Sequence, residues 1–209
     1  MVHRWVSVLV AVTVLVLPSA SHAGQSASDL ADKAMQECEQ GRNAEEREAR
    51  KEHFERGEAL ATQAIALDEH SAQAHFGVVC NLGELRRLDG EKITSVFALR
   101  RLLNEVDRTL QLDPNHVDAM ATKGTLLVRL PKLLGGDPVE GERLLRQVVQ
   151  RDDHAVTSRI ALAQACGERG DRDEAVGFAS RALQIAKEEG RTDKVAEAQA
   201  ALDKLGAKQ

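Results

Sequence analysis

The segment from Leu110 to Glu140, LQLDPNHVDAMATKGTLLVRLPKLLGGDPVE, constrains the fold more than any other part of the chain. Pro114 ends one apolar-periodic segment, because proline has no N–H to donate and clashes with the preceding turn. Asn115 is placed to cap the next helix, which Pro131 and Gly135-Gly136 end. The segment therefore predicts a helix–turn–helix unit whose borders are set by local chemistry.

The third helix of this segment has a strong start signal. Asp137 is its predicted N-cap, Pro138 occupies the first helical position, and Glu140 stands three residues after the cap, as in a capping box. Such caps contribute about 1 kcal/mol each. Gly124 lies in the middle of the preceding helix, where it allows a neighbouring helix to come close.

The acidic turn at Asp113 recurs along the chain. Similar turns occur at Asp68 and Asp152, so that the three acids are 45 and 39 residues apart. A period of this size indicates an array of helical repeats. We predict one domain, residues 24–209, with units at 29–67, 71–112, 115–152 and 154–187 and a capping helix at 192–206.

The composition supports an all-α fold. Aromatic residues make up 2% of the chain and Tyr is absent, so Ala, Leu and Val must fill the core. Small side chains suit closely packed helices, whereas strands favour β-branched and aromatic residues. The predicted architecture is an α-solenoid of about four helix–turn–helix units. The charged segment 44–58 is compatible with a free extension or with packing on the first unit.

Residues 1–23 have the pattern of a signal peptide. The apolar run from Trp5 to Leu17 is too short to span a bilayer, and Ser21 and Ala23 match a signal-peptidase site. The alternative is an uncleaved amino-terminal anchor. We expect export to the periplasm of a Gram-negative-type cell, with no membrane span in the mature form.

Charge and motifs exclude several classes of function. Without the leader, the chain carries 27 Lys and Arg against 33 Asp and Glu. Nucleic-acid binding needs clustered positive charge, so no nucleic-acid partner is expected. The chain contains no G-x-S-x-G elbow, no phosphate-binding glycine loop and no H-E-x-x-H motif. We therefore predict neither an enzyme nor a cofactor.

The histidines and cysteines are the remaining candidates for chemistry. No Cys or carboxylate completes a recognisable ligand set with the histidines, so no metal site is predicted, and His53, His70, His75, His116 and His154 are interpreted as surface or turn residues. Cys38 and Cys80 can form a disulfide in an oxidising compartment if units one and two stack in register, and Cys166 should stay free. The alternative, which we favour, is three small buried hydrophobic cysteines.

The fourth unit resembles a tetratricopeptide repeat, with small and apolar residues at Leu162, Ala163, Gly170, Ala175 and Ala182. A longer second unit (LRRLDGEKITSVFALRRLLNEVDRTLQLDPNH), followed by LPKLLGGDPVEGERLL, resembles two related groups. These are the T component of TRAP transporters and the regulator of microtubule dynamics family. The signal peptide favours the first. That resemblance implies association with a periplasmic solute-binding receptor, an apolar cleft for ligand and a homo-oligomer.

Stacked helix pairs produce a concave face that binds partners. Carrying the register of unit four back along the chain predicts that this face includes Gln73, Phe76, Cys80, Glu84, Asp118, Ala121, Thr125, Val128, Arg129, Thr157, Ile160 and Gln164. The set is mildly apolar, compatible with a protein partner, a peptide or a small amphiphilic ligand. It lacks the concentrated set of Lys, Arg and Asn residues expected for a carboxylate clamp. Equally, several of these residues can be helix–helix packing residues.

Two alternatives to the transport-associated function stay open. The first is a general envelope assembly scaffold that holds two proteins on its concave face. The second is a metal protein or enzyme built on His70, His75 and His154. In either case the predicted fold is the same.

Overall fold

The computed structural model describes residues 25–88, 90 and 96–207; the predicted leader, residues 1–23, lies outside them. This part of the chain contains a short 3-10 helix, Lys132–Leu134, and nine α-helices. These are α1 (Ala27–Asn43), α2 (Arg47–Leu67), α3 (Ala72–Leu88), α4 (Val96–Leu112), α5 (Val117–Arg129), α6 (Pro138–Arg151), α7 (Val156–Arg169), α8 (Arg172–Glu188) and α9 (Thr192–Gly206).

The helices stack as pairs into a solenoid. α1 packs on α2, α3 on α4, α5 on α6 and α7 on α8, while α9 covers the end by contacting α7 and α8. Contacts of α1 with α3, of α5 with α7 and of α7 with α9 place the first helices of the units in one layer. The predicted all-α solenoid is therefore confirmed. Among the described residues, no helix is both long and apolar enough to cross a membrane.

A seam divides the array between α4 and α5. The helices of the first half, residues 25–112, pack on one another, as do those of the second half, residues 117–207, and α4 against α5 is the main contact between the halves. The core follows this division. Phe54 and Val78 belong to a cluster that takes only Ala119 as a buried member from the second half.

Of the two alternatives for the charged segment 44–58, the structure shows packing on the first unit. α2 begins within it and lies against α1, with Phe54 fully buried. α1 continues through Gly41 and ends at Asn43. A Cβ on Gly41 would stand 2.4 Å from the Phe54 ring, so the glycine serves the close approach of α2.

The helix starts follow the predicted chemistry in part. Asp137 caps α6, its carboxylate accepting the Glu140 N–H at 3.1 Å, and Pro138 is the first helical residue, as predicted. The Glu140 carboxylate, however, accepts from Arg143 at 2.6 Å. The side-chain half of the capping box predicted at Glu140 is thus replaced by a local ion pair.

The N-cap of α5 is His116, and the prediction of Asn115 was wrong. The His116 ring nitrogen Nδ1 accepts the Ala119 N–H at 3.3 Å, while the Asn115 N–H donates to the carboxylate of Asp113 at 3.0 Å. The turn is therefore closed by Asp113, which moves the start of the helix one residue along the chain.

The crossing of α5 and α6 confirms the predicted close approach at Gly124. A Cβ on Gly124 would stand 3.0 Å from the carbonyl oxygen of Gly141, and a Cβ on Gly141 would stand 2.8 Å from that of Gly124. Two glycines therefore face each other where the helices of the third unit meet.

Candidate functional site

The residues predicted for the concave face lie on α3, α5 and α7, but the structure buries several of them. Phe76, Cys80, Glu84, Val128 and Ile160 are buried; Ala121, Thr125, Thr157 and Gln164 are half-buried; Gln73, Asp118 and Arg129 are exposed. For the buried aliphatic residues, packing between helices is the main role. A binding surface has to be built from the others.

A cleft of about 380 Å³ lies at the seam, and we call it the seam cleft. It brings together three of the predicted residues with four that the sequence analysis missed, and is lined by Met35, Ala72, Gln73, Phe76, Asp113, His116 and Asp118. The first four belong to α1 and α3, and the last three to the turn before α5 and its first residues. The cleft therefore spans both halves of the array.

Ring and side-chain contacts hold the walls of the seam cleft in place. Phe76 is 6% exposed, and its ring centroid is 4.4 Å from that of His116. The His116 ring is fixed in turn by its cap bond to α5. On the opposite wall, the Gln73 amide donates to the Asp32 carboxylate at 2.6 Å.

The concave side of the second half is bridged by ion pairs of the chain itself. Arg129 of α5 lies 3.0 Å from Glu197 of α9, and Lys194 lies 2.7 Å from the same carboxylate. Burial raises the pKa of Glu197, but the hydrogen bond and charge of Lys194, together with Arg129, outweigh it and lower the pKa overall. Arg129, although exposed, is thus paired within the chain.

A second, smaller cleft of about 200 Å³ lies between α7 and α9. Its apolar wall includes Ala163, Gly167 and Leu205, and its polar residues include Gln164 and Glu197. Gln164 is the only residue of the predicted concave set that lines it. Glu197 is engaged by the ion pairs described above, and Glu168 and Lys204 also line this cleft.

Cys80 forms a disulfide with Cys38, which joins the carboxyl-terminal part of α1 to α3. The Cα atoms are 6.2 Å apart, and both residues are buried. Cys80 therefore does not offer a thiol to the concave face. The favoured interpretation of three unpaired buried cysteines applies to Cys166 alone.

Cys166 lies in an ion network that links α6, α7 and α8. The Arg146 guanidinium is 2.7 Å from Glu142 and 2.8 Å from Glu174, and Arg169 pairs with both carboxylates. Burial and the hydrogen bond to Glu174 raise the pKa of the Cys166 thiol to about 11. Sγ and the two carboxylates stand close enough to share a cation. The guanidinium groups already neutralise the carboxylates, and the thiol keeps its proton, so we assign the cluster to packing.

The three histidines of the metal alternative are engaged separately, with His70 lying 4.0 Å from Asp68. His75 is buried, so its interpretation as a surface or turn residue was wrong. The His75 ring lies 2.6 Å from Glu105 and 3.0 Å from the Glu69 carbonyl, and the His154 ring lies 2.7 Å from Glu189. Among the described residues, no group of potential metal ligands contains a histidine. The structure therefore does not bring His70, His75 and His154 together into one site.

Comparison with known proteins identifies the fold. No protein-family model matches the chain, and no curated protein is significantly similar to it. A thermophilic TPR (tetratricopeptide-repeat) protein of Thermus thermophilus, TTC0263, is 17% identical with a TM-score of 0.54, covering 85% of this chain and 99% of that one. MamA of Desulfovibrio magneticus RS-1, from residue 41 to its end, is 16% identical with a TM-score of 0.50, covering 84% and 94%. At these identities the likeness shows the fold, an α-solenoid of the tetratricopeptide-repeat type.

Proposed function

We propose that this solenoid is an exported, non-catalytic scaffold that binds another protein on its concave side. The observation that carries the proposal is the seam cleft, where an apolar floor opens next to exposed polar residues. Its lining is mixed, because three residues are apolar and four are polar or charged. Binding sites commonly combine an apolar surface with placed polar groups that fix orientation.

Two features support a periplasmic location. The amino-terminal sequence has the pattern of an export signal. The disulfide between Cys38 and Cys80 is the second, because disulfides persist mainly in oxidising compartments such as the periplasm. We therefore place the proposed interaction with the partner protein in the periplasm.

More specifically, we propose a role like that of a TRAP-transporter T component. The sequence of the second unit and the LPKLLGGDPVEGERLL segment resemble that family. The expected partner is a solute-binding receptor, with the apolar cleft open to its ligand, in a homo-oligomeric assembly.

Native mass spectrometry of the mature protein, purified gently from its own periplasmic extract, tests this function. The matched variants are Ala72→Trp, which fills the seam cleft, and Ala196→Trp, on an exposed position of α9. We expect the wild type and Ala196→Trp to carry a solute-binding receptor and Ala72→Trp to lose it, with equal helicity by circular dichroism.

Other outcomes reject the proposal at different levels. A bare monomer in every sample contradicts the scaffold function. Binding of assorted envelope proteins without a receptor rejects the T-component role and supports a general assembly scaffold. A receptor that stays bound to Ala72→Trp moves the interface away from the seam cleft.

A further inference from the structure

The chemistry of the seam cleft points to the kind of segment it binds; this inference rests on the proposed function and deepens it. We propose that the seam cleft binds an extended peptide segment that presents a cationic side chain next to an aliphatic one. The aliphatic group occupies the floor, and the cation meets the carboxylates at the rim.

The floor is apolar and built from both halves of the array. Met35, Ala72 and Phe76 provide side chains from α1 and α3, and the His116 ring completes the surface from the second half. Its volume of about 380 Å³ lies at the lower end of the range of about 300–1,000 Å³ for ligand pockets. This suits one or two side chains of a peptide better than a folded surface.

The rim carries negative charge without a compensating cation in the lining. Asp113 and Asp118 line the cleft, and Asp32 stands beside it through its hydrogen bond with Gln73. Neither Lys nor Arg is among the described residues that line the cleft. Lys123 of α5 is engaged by Asp107 of α4 at 2.7 Å.

Asp118 is the carboxylate most available to a partner. It is exposed, and no side-chain hydrogen bond or ion pair engages it within the described part of the chain. Asp113, in contrast, accepts the N–H of Asn115 at 3.0 Å, and this bond fixes its carboxylate at the turn. The cleft thus offers one fixed carboxylate and one free carboxylate.

Two further acidic turns lie along the same edge of the solenoid, where Arg108 and Arg159 also donate to carbonyl oxygens of Glu69 and Asp152. Because the units are antiparallel helix pairs, the turns at Asp68, Asp113 and Asp152 all lie at the same edge of the solenoid. Each of these carboxylates accepts a backbone N–H two residues further on, at 2.9, 3.0 and 2.8 Å. Fixed charges of one sign raise the local concentration of oppositely charged segments and oppose acidic ones.

Fluorescence anisotropy with a labelled peptide of alternating Lys and Leu tests the inference on the mature protein. Two comparison peptides replace Lys by Glu, or Leu by Ser. The variants are Asp118→Lys and, as a matched control, Asp173→Lys, because each aspartate is an exposed second residue of its helix, α5 or α8. Their substitution therefore has a similar effect on helix stability.

We expect the Lys-Leu peptide to bind, more weakly at high salt, and both comparison peptides to bind poorly. Asp118→Lys should weaken binding by about tenfold or more and Asp173→Lys should not. Equal losses in both variants, tight binding of the Glu-Leu peptide, or no binding of any peptide would overturn the inference. If Asp118→Lys still retains the partner found by native mass spectrometry, the scaffold function stands and the cationic segment does not.

Discussion

At the scale of single residues, the contact between Gly57 and Asn81 ties three helices together. Asn81 of α3 is fully buried, and its Nδ2 donates to the Ala34 carbonyl of α1 at 3.0 Å and to the Gly77 carbonyl at 2.8 Å. Gly57 of α2 faces this amide with no side chain in between. A buried amide can stay here only because α2 contributes a glycine.

Gly57→Ala should lower the free energy of unfolding by about 1–3 kcal/mol, the usual cost of overpacking. The new Cβ would stand 2.2 Å from Asn81 Oδ1, so the amide must move and its hydrogen bonds weaken. Urea unfolding followed by circular dichroism measures the change. Gly177→Ala is the control, since a Cβ there meets nothing within 4 Å. A Gly57→Ala protein as stable as the control would contradict the close contact.

Glu142 should make stability depend on pH. The hydrogen bond from Arg169 lowers its pKa below the ordinary value of 4.5, burial opposes this, and Arg146 adds to the lowering. A carboxyl whose pKa is lower in the folded state stabilises the fold above its unfolded pKa, and this contribution is lost as the pH falls through the folded pKa. The pH window therefore lies below about 5.

Glu142→Gln should be less stable than the wild type by about 1–2 kcal/mol at neutral pH, because a partly buried charged hydrogen bond is lost. The difference should shrink towards zero as the pH falls below the pKa of the wild-type carboxyl. Thermal unfolding measured across this range tests the sign. Glu140→Gln, whose pair with Arg143 is local and exposed, should show a smaller effect. A constant difference at all pH values would exclude the ionised carboxylate as the cause.

At the scale of the helices, local sequence chemistry predicts the start of a helix well where the capping side chain has a single hydrogen-bond partner within reach. Asp137 caps α6 as expected, since its carboxylate reaches the Glu140 N–H. The similar turn at Asp171 does not repeat this capping, since the Asp171 carboxylate pairs with Arg169 at 2.5 Å and makes no cap bond. Sequence spacing does not show which of two partners a carboxylate takes.

Asp137→Ala should therefore cost about 0.5–2 kcal/mol of stability, the usual effect of losing an N-cap. Asp171→Ala should cost less, because it removes an exposed ion pair of about 0–1 kcal/mol. Chemical unfolding of the two variants beside the wild type gives the comparison. Equal losses would mean that the two aspartates act in the same way.

The disulfide between α1 and α3 should stabilise the protein by roughly 2–4 kcal/mol. It closes a loop with a sequence separation of 42, which restricts the unfolded chain. The joint variant Cys38→Ser and Cys80→Ser, or reduction with dithiothreitol, should lower the free energy of urea unfolding by that amount. Cys166→Ala should keep the sensitivity to reduction, since Cys166 is unpaired. If reduction leaves the wild type unchanged, the disulfide does not contribute to stability.

At the scale of the whole molecule, the seam should make the two halves respond separately. Repeat arrays are stabilised mainly by contacts between neighbouring units, and the halves meet chiefly where α4 contacts α5. The disulfide lies wholly in the first half. Reduction should therefore lower the hydrogen-exchange protection of amides in α1 and α3 more than that of amides in α7 and α8. Equal loss of protection in all four helices would show that destabilising the first half destabilises the second half to the same extent.

The same seam explains how far the sequence could predict the candidate site. The fold follows from local signals, namely the period of the acidic turns, the glycines and the caps. Helical register also places Gln73, Phe76 and Asp118 towards the concave side, and all three line the seam cleft. Met35 and His116 were missed because their meeting depends on how two halves pack, which no local pattern encodes.

The opposite error has a related cause. Val128 and Ile160 were placed on the concave face but belong to the core. Helical periodicity identifies the apolar side of a helix. It does not distinguish the part that meets the next helix from the part that borders a groove.

The bond between Cys38 and Cys80 also has a mechanical consequence. When the ends of the chain are pulled apart, the load passes from α1 to α3 through the sulfur atoms and does not run through α2, which lies wholly between them. The oxidised chain therefore reaches a shorter full extension under load than the reduced chain. The hidden segment, with its separation of 42 residues, accounts for roughly 140–150 Å of fully extended chain.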